Sequence, residues 1–164
     1  MAIQNVQQLF VHELGDIYDA EQRILQMLPQ MANEASDGQV KSAFQYHEQQ
    51  TRQQVKNLEQ CFQMLGEQPK RTSCQVIAGL KQEHDSFVKE NPSSEMLTMF
   101  DLGGAAKTEH YEIASYQGLI EKANLLGKKD CVQLLQQNLS QEEEMAQKIT
   151  QISKQMGKQV AQAR

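Results

Sequence analysis

The sequence is poor in the residues that build sheets and tight turns. Proline occurs 3 times and glycine 9 times in 164 residues, and aromatic residues make up 5%. Clusters of Val, Ile, Thr and aromatic residues are missing, which argues against strands. Positive charge is not in surplus: 16 Lys and Arg stand against 21 Asp and Glu, for a net charge of -5 and a pI near 5.4. No general basic surface therefore invites nucleic acid or an anionic membrane. No apolar run approaches membrane-spanning length, and Met1-Ala2-Ile3-Gln4-Asn5 has no basic-then-apolar character. Cys61, Cys74 and Cys131 form no CxxC pair, and an odd count at irregular spacing suits reduced thiols. The expectation is a cytoplasmic protein that engages neither nucleic acid nor membrane.

What is abundant is Gln, Glu, Lys, Leu, Met and Ala, which favours helices. The length suits one domain across residues 1–164, with a frayed tail from about 158 to 164. A first helix is expected from about Asn5 to Glu34, with an apolar seam of Phe10, Leu14, Ile17, Glu21, Ile24, Leu28 and Met31. Pro29 lies inside it, so a kink or a loosened last turn is expected there. Ser36 or Asp37 can cap a second helix, Val40 to Leu65, whose seam is Val40, Phe44, His47, Thr51, Val55, Leu58, Phe62 and Leu65. A long connection follows Gly66 and Pro69 and contains a shorter amphipathic helix, Val76 to Val88. Ser93 or Ser94 can cap a third long helix ending near Gly127, with the seam Leu102, Ala105, Glu109, Glu112, Tyr116, Leu119, Ala123 and Leu126. The fourth runs after Lys129 toward Met156 through Leu135, Leu139, Glu142, Ala146, Ile149, Ile152 and Met156. Two short links and one long one describe an all-α fold: a ferritin-like four-helix bundle with a crossover, containing a short helix, between the second and third long helices.

Each seam is broken near its middle by a potential metal ligand. Glu109 and Glu112 occupy positions where Leu or Ile belongs, and a buried unpaired carboxylate is costly. At ~1.5 Å rise per residue, Glu21 lies ~23 Å from the first short link and Thr51 about the same, with His47 one turn nearer. Glu112 and Glu142 lie ~24 Å and ~21 Å from the second link by the same rise. Within each helical pair the polar groups thus meet at one level. If the two levels coincide, four carboxylates and an imidazole converge, and cations are the natural compensation for that charge. Hard oxygen donors with an imidazole suit iron or manganese, two ions being bridged by carboxylates.

Asp16-Ile17-Tyr18-Asp19-Ala20-Glu21, His47-Glu48-Gln49-Gln50-Thr51, Glu109-His110-Tyr111-Glu112-Ile113-Ala114-Ser115-Tyr116 and the stretch Leu139 to Glu142 resemble the YciF/YciE-type family of ferritin-like stress proteins. Glu-x-x-Glu followed by Tyr four residues on is more distantly similar to the third bundle helix of rubrerythrins. The resemblance implies a ferritin-like bundle, commonly a homodimer, with a di-metal centre and a bacterial stress association. The wider ferritin-like pattern places Glu-x-x-His on the second and fourth helices. Here Phe44 stands three residues before His47, and Met145 three after Glu142.

Two functions follow. The first is a di-metal protein holding two iron ions, or manganese, at Glu21, His47, Glu109, Glu112 and Glu142, with Asp16, Gln50 and His110 as further candidates. It would serve metal handling or the removal of peroxide or oxygen, and redox turnover would need an external electron donor. The second is a structural or partner-binding bundle with a degenerate site, in which Lys107 or Arg52 neutralises the buried glutamates, or the glutamates take up protons. Storage of iron in a cage needs extensive interfaces that this chain does not reveal.

Overall fold

The computed structural model describes residues 2–162 and consists there of five helices without a strand. They are α1 (Val6–Glu34), α2 (Gly38–Met64), α3 (Gln75–Val88), α4 (Ser94–Leu125) and α5 (Lys129–Gln162). The four long segments and the short fifth element are those expected from periodicity, and α1 continues through Pro29 to Glu34. The tail expected from about residue 158 is helical as far as Gln162; residues 163 and 164 lie outside the described part.

Local chemistry sets the ends of the helices. Asp37 caps α2 by accepting from the amides of Gln39 and Val40 at 2.8 and 3.0 Å, and Ser93 caps α4 by accepting from the amide of Met96. The C-terminal ends of α2 and α4 are Schellman turns built on a left-handed glycine. Gly66 has φ 72° and Gly127 φ 67°, and the amides of Glu67 and Lys128 reach back to the carbonyls of Phe62 and Ala123 at 3.0 and 2.9 Å.

α1 packs most extensively on α2, and α4 on α5; the two pairs then meet through α1 with α4 and α2 with α5. Phe10, Leu14, Phe44, Leu58, Phe62, Leu102, Leu119 and Leu135 are fully buried between them. Each such side chain contributes about 1.5–3 kcal/mol relative to exposure. α3 lies on α1 and α4. Its leading segment is pinned to α1 by Asp19, which accepts from Arg23 at 2.6 Å, Arg71 at 2.5 Å and the Cys74 amide at 2.8 Å. Burial opposes the Asp19 charge, but these donors hold its carboxyl below the usual range. Beside it, the Thr72 amide donates to the Gly15 carbonyl at 3.0 Å. That approach needs glycine, because a Cβ on residue 15 would meet Thr72 Oγ1 at 2.6 Å and the Lys70 carbonyl at 2.8 Å. No described helix is long and apolar enough to cross a membrane.

Candidate metal centre

The interrupted seams do face inward. Glu21, Glu109, Glu112 and Glu142 are each 0% exposed and His47 is 2% exposed, so the level at which the two helical pairs meet buries four carboxyl groups with one imidazole. His47, Glu109, Glu112 and Glu142 each offer one ligand atom within 4.8 Å of the others. His47 Nε2 stands 3.0 Å from Glu109 Oε1, close but in a geometry that makes no hydrogen bond. Glu21 joins from α1, its Oε1 held by the hydroxyl of Tyr116. That hydroxyl oxygen in turn accepts from Asn138 Nδ2 at 3.0 Å, and Asn138 Oδ1 accepts from Asn57 Nδ2 at 2.8 Å. A buried polar thread therefore ties α2, α5, α4 and α1 together behind the acids.

The cluster itself is unsatisfied. Both nitrogens of His47, both oxygens of Glu109, Glu112 and Glu142, and Glu21 Oε2 are buried without a hydrogen-bond partner. Native interiors pair almost all such groups. The cations that could have neutralised them are engaged elsewhere: Lys107 Nζ sits 2.7 Å from Glu83 and Arg52 2.6 Å from Glu48. Burial, reinforced by the negative neighbours, pushes Glu21, Glu112 and Glu142 well above the ordinary carboxylate range, and burial raises Glu109 to about 7. The donor set of carboxylate oxygens plus one imidazole fits iron or manganese, and orphaned acceptors converging from four helices are what a cation would satisfy.

The further candidates fare differently. Asp16 lies on α1 but accepts from the Tyr111 hydroxyl, outside the group of converging ligands. His110 is exposed, with Nδ1 2.8 Å from the Ala106 carbonyl, and it too stands outside the group. Gln50 is buried one turn from His47, with Oε1 unpartnered and Nε2 3.4 Å from the Tyr46 hydroxyl. Met145 and Phe44, at the two positions where the wider pattern has ligands, are 1% and 0% exposed and fill apolar space.

Sequence reasoning missed Gln54, Asn57 and Asn138, all buried at the α2–α5 contact. Gln54 Nε2 reaches Gln141 at 3.1 Å while its Oε1 has no partner. In a glutamine-rich chain these side chains carried no contrast; a second seam read one position away from His47 and Thr51 could have found Gln54. A group of Glu34, His84 and Asp101 was also missed. The α4 seam extended two turns toward its start passes through Asp101 and Thr98, which was the available signal.

Residues 5–162 match the family described as a domain of unknown function, DUF892. The chain belongs to this family. Among its relatives is protein YciF of Escherichia coli strain K12, 29% identical over 154 residues, which are 93% of each chain. The crystal structure of that E. coli stress protein superposes with a TM-score of 0.89 at 27% identity, over 95% of this chain and 99% of the other. YcfI from Rhodopseudomonas palustris, provisionally described as structural, gives 0.87 at 36% identity over 90% and 94% of the two chains. A Xanthomonas campestris protein at 21% identity shares the fold alone, with a TM-score of 0.78 over 97% and 98%. The resemblance to the YciF-type family read from the motif around Glu109 is thereby borne out.

Proposed function

We propose that this DUF892 protein is a ferritin-like four-helix bundle, with α3 carried in the crossover, whose central cluster binds two divalent cations, iron or manganese. Its service is in the bacterial stress response, through cation handling or the consumption of peroxide or oxygen. The observation that carries this reading is the set of buried carboxylates on α1, α4 and α5, with His47 on α2, whose side-chain polar atoms have no hydrogen-bond partner apart from Glu21 Oε1. The stress association comes from the E. coli relative named for it.

Glu21, His47, Glu109, Glu112 and Glu142 would hold the cations. Bound iron supplies one-electron exchange with oxygen or peroxide. The chain's own part is to bind, orient and exclude water. Tyr116 fixes Glu21 through its hydroxyl, and Asn138 fixes Tyr116. The seam residues above and below the cluster, among them Phe44, Leu102, Leu119 and Leu139, keep bulk water out. We place the protein in the cytoplasm as a homodimer, with an external electron donor for any redox turnover.

The test is elemental analysis of protein purified from metal-supplemented cells. Near two equivalents of iron or manganese, lost in Glu112→Ala, are expected; clearly substoichiometric metal, unchanged by that substitution, sinks the reading. A second reading, a structural bundle with a degenerate site, is favoured by Phe44 and Met145 at would-be ligand positions and by the provisional description of the R. palustris relative. Thermal midpoints with and without chelator separate the two, because a site cation stabilises by mass action whereas a degenerate site gives no shift.

A further inference from the structure

Away from the central cluster, a second set of described residues brings metal-binding atoms together where α1, α3 and α4 meet. Glu34 ends α1, His84 lies on α3 and Asp101 on α4, and one ligand atom from each falls within 4.8 Å of the others. His84 is 6% exposed and Asp101 1%. A single nitrogen, His84 Nε2, faces both carboxylates, 2.9 Å from Glu34 Oε2 and 3.4 Å from Asp101 Oδ1.

An Nε2–H tautomer donates to Glu34 at 2.9 Å yet leaves both oxygens of the buried Asp101 without a hydrogen bond; the Nδ1–H tautomer turns the Nε2 lone pair toward both acids. His84 Nδ1 lies 3.3 Å from Asp85 Oδ1, and Asp85 is fixed by Lys81 Nζ at 2.6 and 2.8 Å. Donation of Nδ1–H to Asp85 leaves the Nε2 lone pair pointing between two anionic groups. Around nothing, that arrangement is repulsive. Around a cation it is the carboxylate–histidine–metal geometry that orients a ligating imidazole. A doubly protonated ring does not resolve the site either, because neither oxygen of the buried Asp101 accepts a hydrogen bond.

The location adds to the case. A cavity of ≈ 40 Å³ is lined by His84 and Asp101 of this group and also by His47 and Glu109 of the central cluster. Ile24, Leu28, Leu80 and Phe100 are among the apolar side chains of its lining.

We propose that Glu34, His84 and Asp101 form a second cation site, distinct from the central cluster, that takes one divalent first-row transition ion through one imidazole nitrogen and two carboxylate oxygens. Its existence does not depend on the central cluster being a metal centre.

The experiment is a cobalt(II) titration of metal-free protein, followed by equilibrium dialysis and by anomalous diffraction of cobalt-soaked crystals. Wild type, His84→Ala/Asp101→Asn and Glu112→Ala are compared, with Asp101→Asn alone as the near-isosteric variant in case the double variant does not fold. The expected result is loss of one cobalt equivalent, and of one anomalous peak, in the His84→Ala/Asp101→Asn or Asp101→Asn protein. Glu112→Ala retains that equivalent. If the central cluster binds nothing, wild type and Glu112→Ala share the single equivalent that the Asp101 variants lack. The proposal is overturned if the Asp101 variants bind as much cobalt as wild type and no peak lies among Glu34, His84 and Asp101.

Discussion

The hydroxyl of Tyr116 on α4 donates to Glu21 on α1, and Asn138 on α5 donates to the same hydroxyl oxygen. One phenol thus fixes the orientation of an acid that has no cation beside it. Tyr116→Phe keeps the ring packing and removes both bonds, leaving Glu21 Oε1 unpaired and Asn138 Nδ2 with only its bond to the Gln54 carbonyl. A loss of about 1–3 kcal/mol is expected, read as a lower urea midpoint at unchanged slope. An unchanged midpoint would show that Glu21 draws nothing from the phenol.

The metal-free protein is expected to lose stability as pH rises from about 4.5 to about 7. Glu109 has its carboxyl raised by burial from 4.5 to about 7. Below 4.5 both folded and unfolded chains hold the proton, so nothing is lost. Between the two values the unfolded chain releases a proton that the folded chain keeps, and unfolding gains. Cation binding runs the other way, since its ligands must be deprotonated, and it tightens over the same interval. Thermal melts at pH 5 and pH 7.5, each with chelator and with manganese, check both signs.

Glu112→Gln is expected to stabilise the metal-free protein at pH 7 while abolishing stabilisation by added metal. Glu112 is fully buried, with Glu142, Glu21 and Glu109 as its negative neighbours, and no cation partner relieves it. Folding keeps on Glu112 a proton that the unfolded chain releases at pH 7, and Gln, which does not ionise, removes that cost. Differential scanning calorimetry with chelator reads the first effect and the metal-dependent shift reads the second. A destabilised metal-free variant contradicts this account of the site.

Gly15→Ala is expected to cost about 1–3 kcal/mol through overpacking, because its Cβ meets the Lys70 carbonyl and Thr72. Gly103→Ala, helical and with nothing within 4 Å of the added Cβ, is expected to gain about 0.5–1 kcal/mol. Opposite signs in urea denaturation separate close approach from helix propensity. Equal signs would mean that the link between α2 and α3 does not press on α1.

Much of this was legible before the structure. The seams through Leu14, Glu21 and Leu28, and through Leu102, Glu109 and Leu119, repeat at helical spacing, so burial follows from which positions share a face. The caps at Asp37 and Ser93 were legible as one of two adjacent candidates. The common level of the two hairpins was not. It depends on how the segment from Gly66 to Ser93 spans α1, and the contacts of Asp19 with Arg71 and Cys74 that anchor it bring together residues over fifty positions apart. His110 was misplaced for a simple reason: one residue from Glu109 turns a side chain by ~100° on a helix. His84, on the connecting helix, gains its meaning from Glu34 and Asp101, which no local pattern pairs with it.

The way the ligands are divided between the two hairpins has a consequence for biogenesis. Glu21 and His47 come from the first hairpin, and Glu109, Glu112 and Glu142 from the second. A growing chain that has completed only α1 and α2 carries one carboxylate and one imidazole, too few to retain a reactive cation. Under the proposed function, capture of a cation waits until α4 and α5 have docked, so the nascent chain carries no half-built site through synthesis.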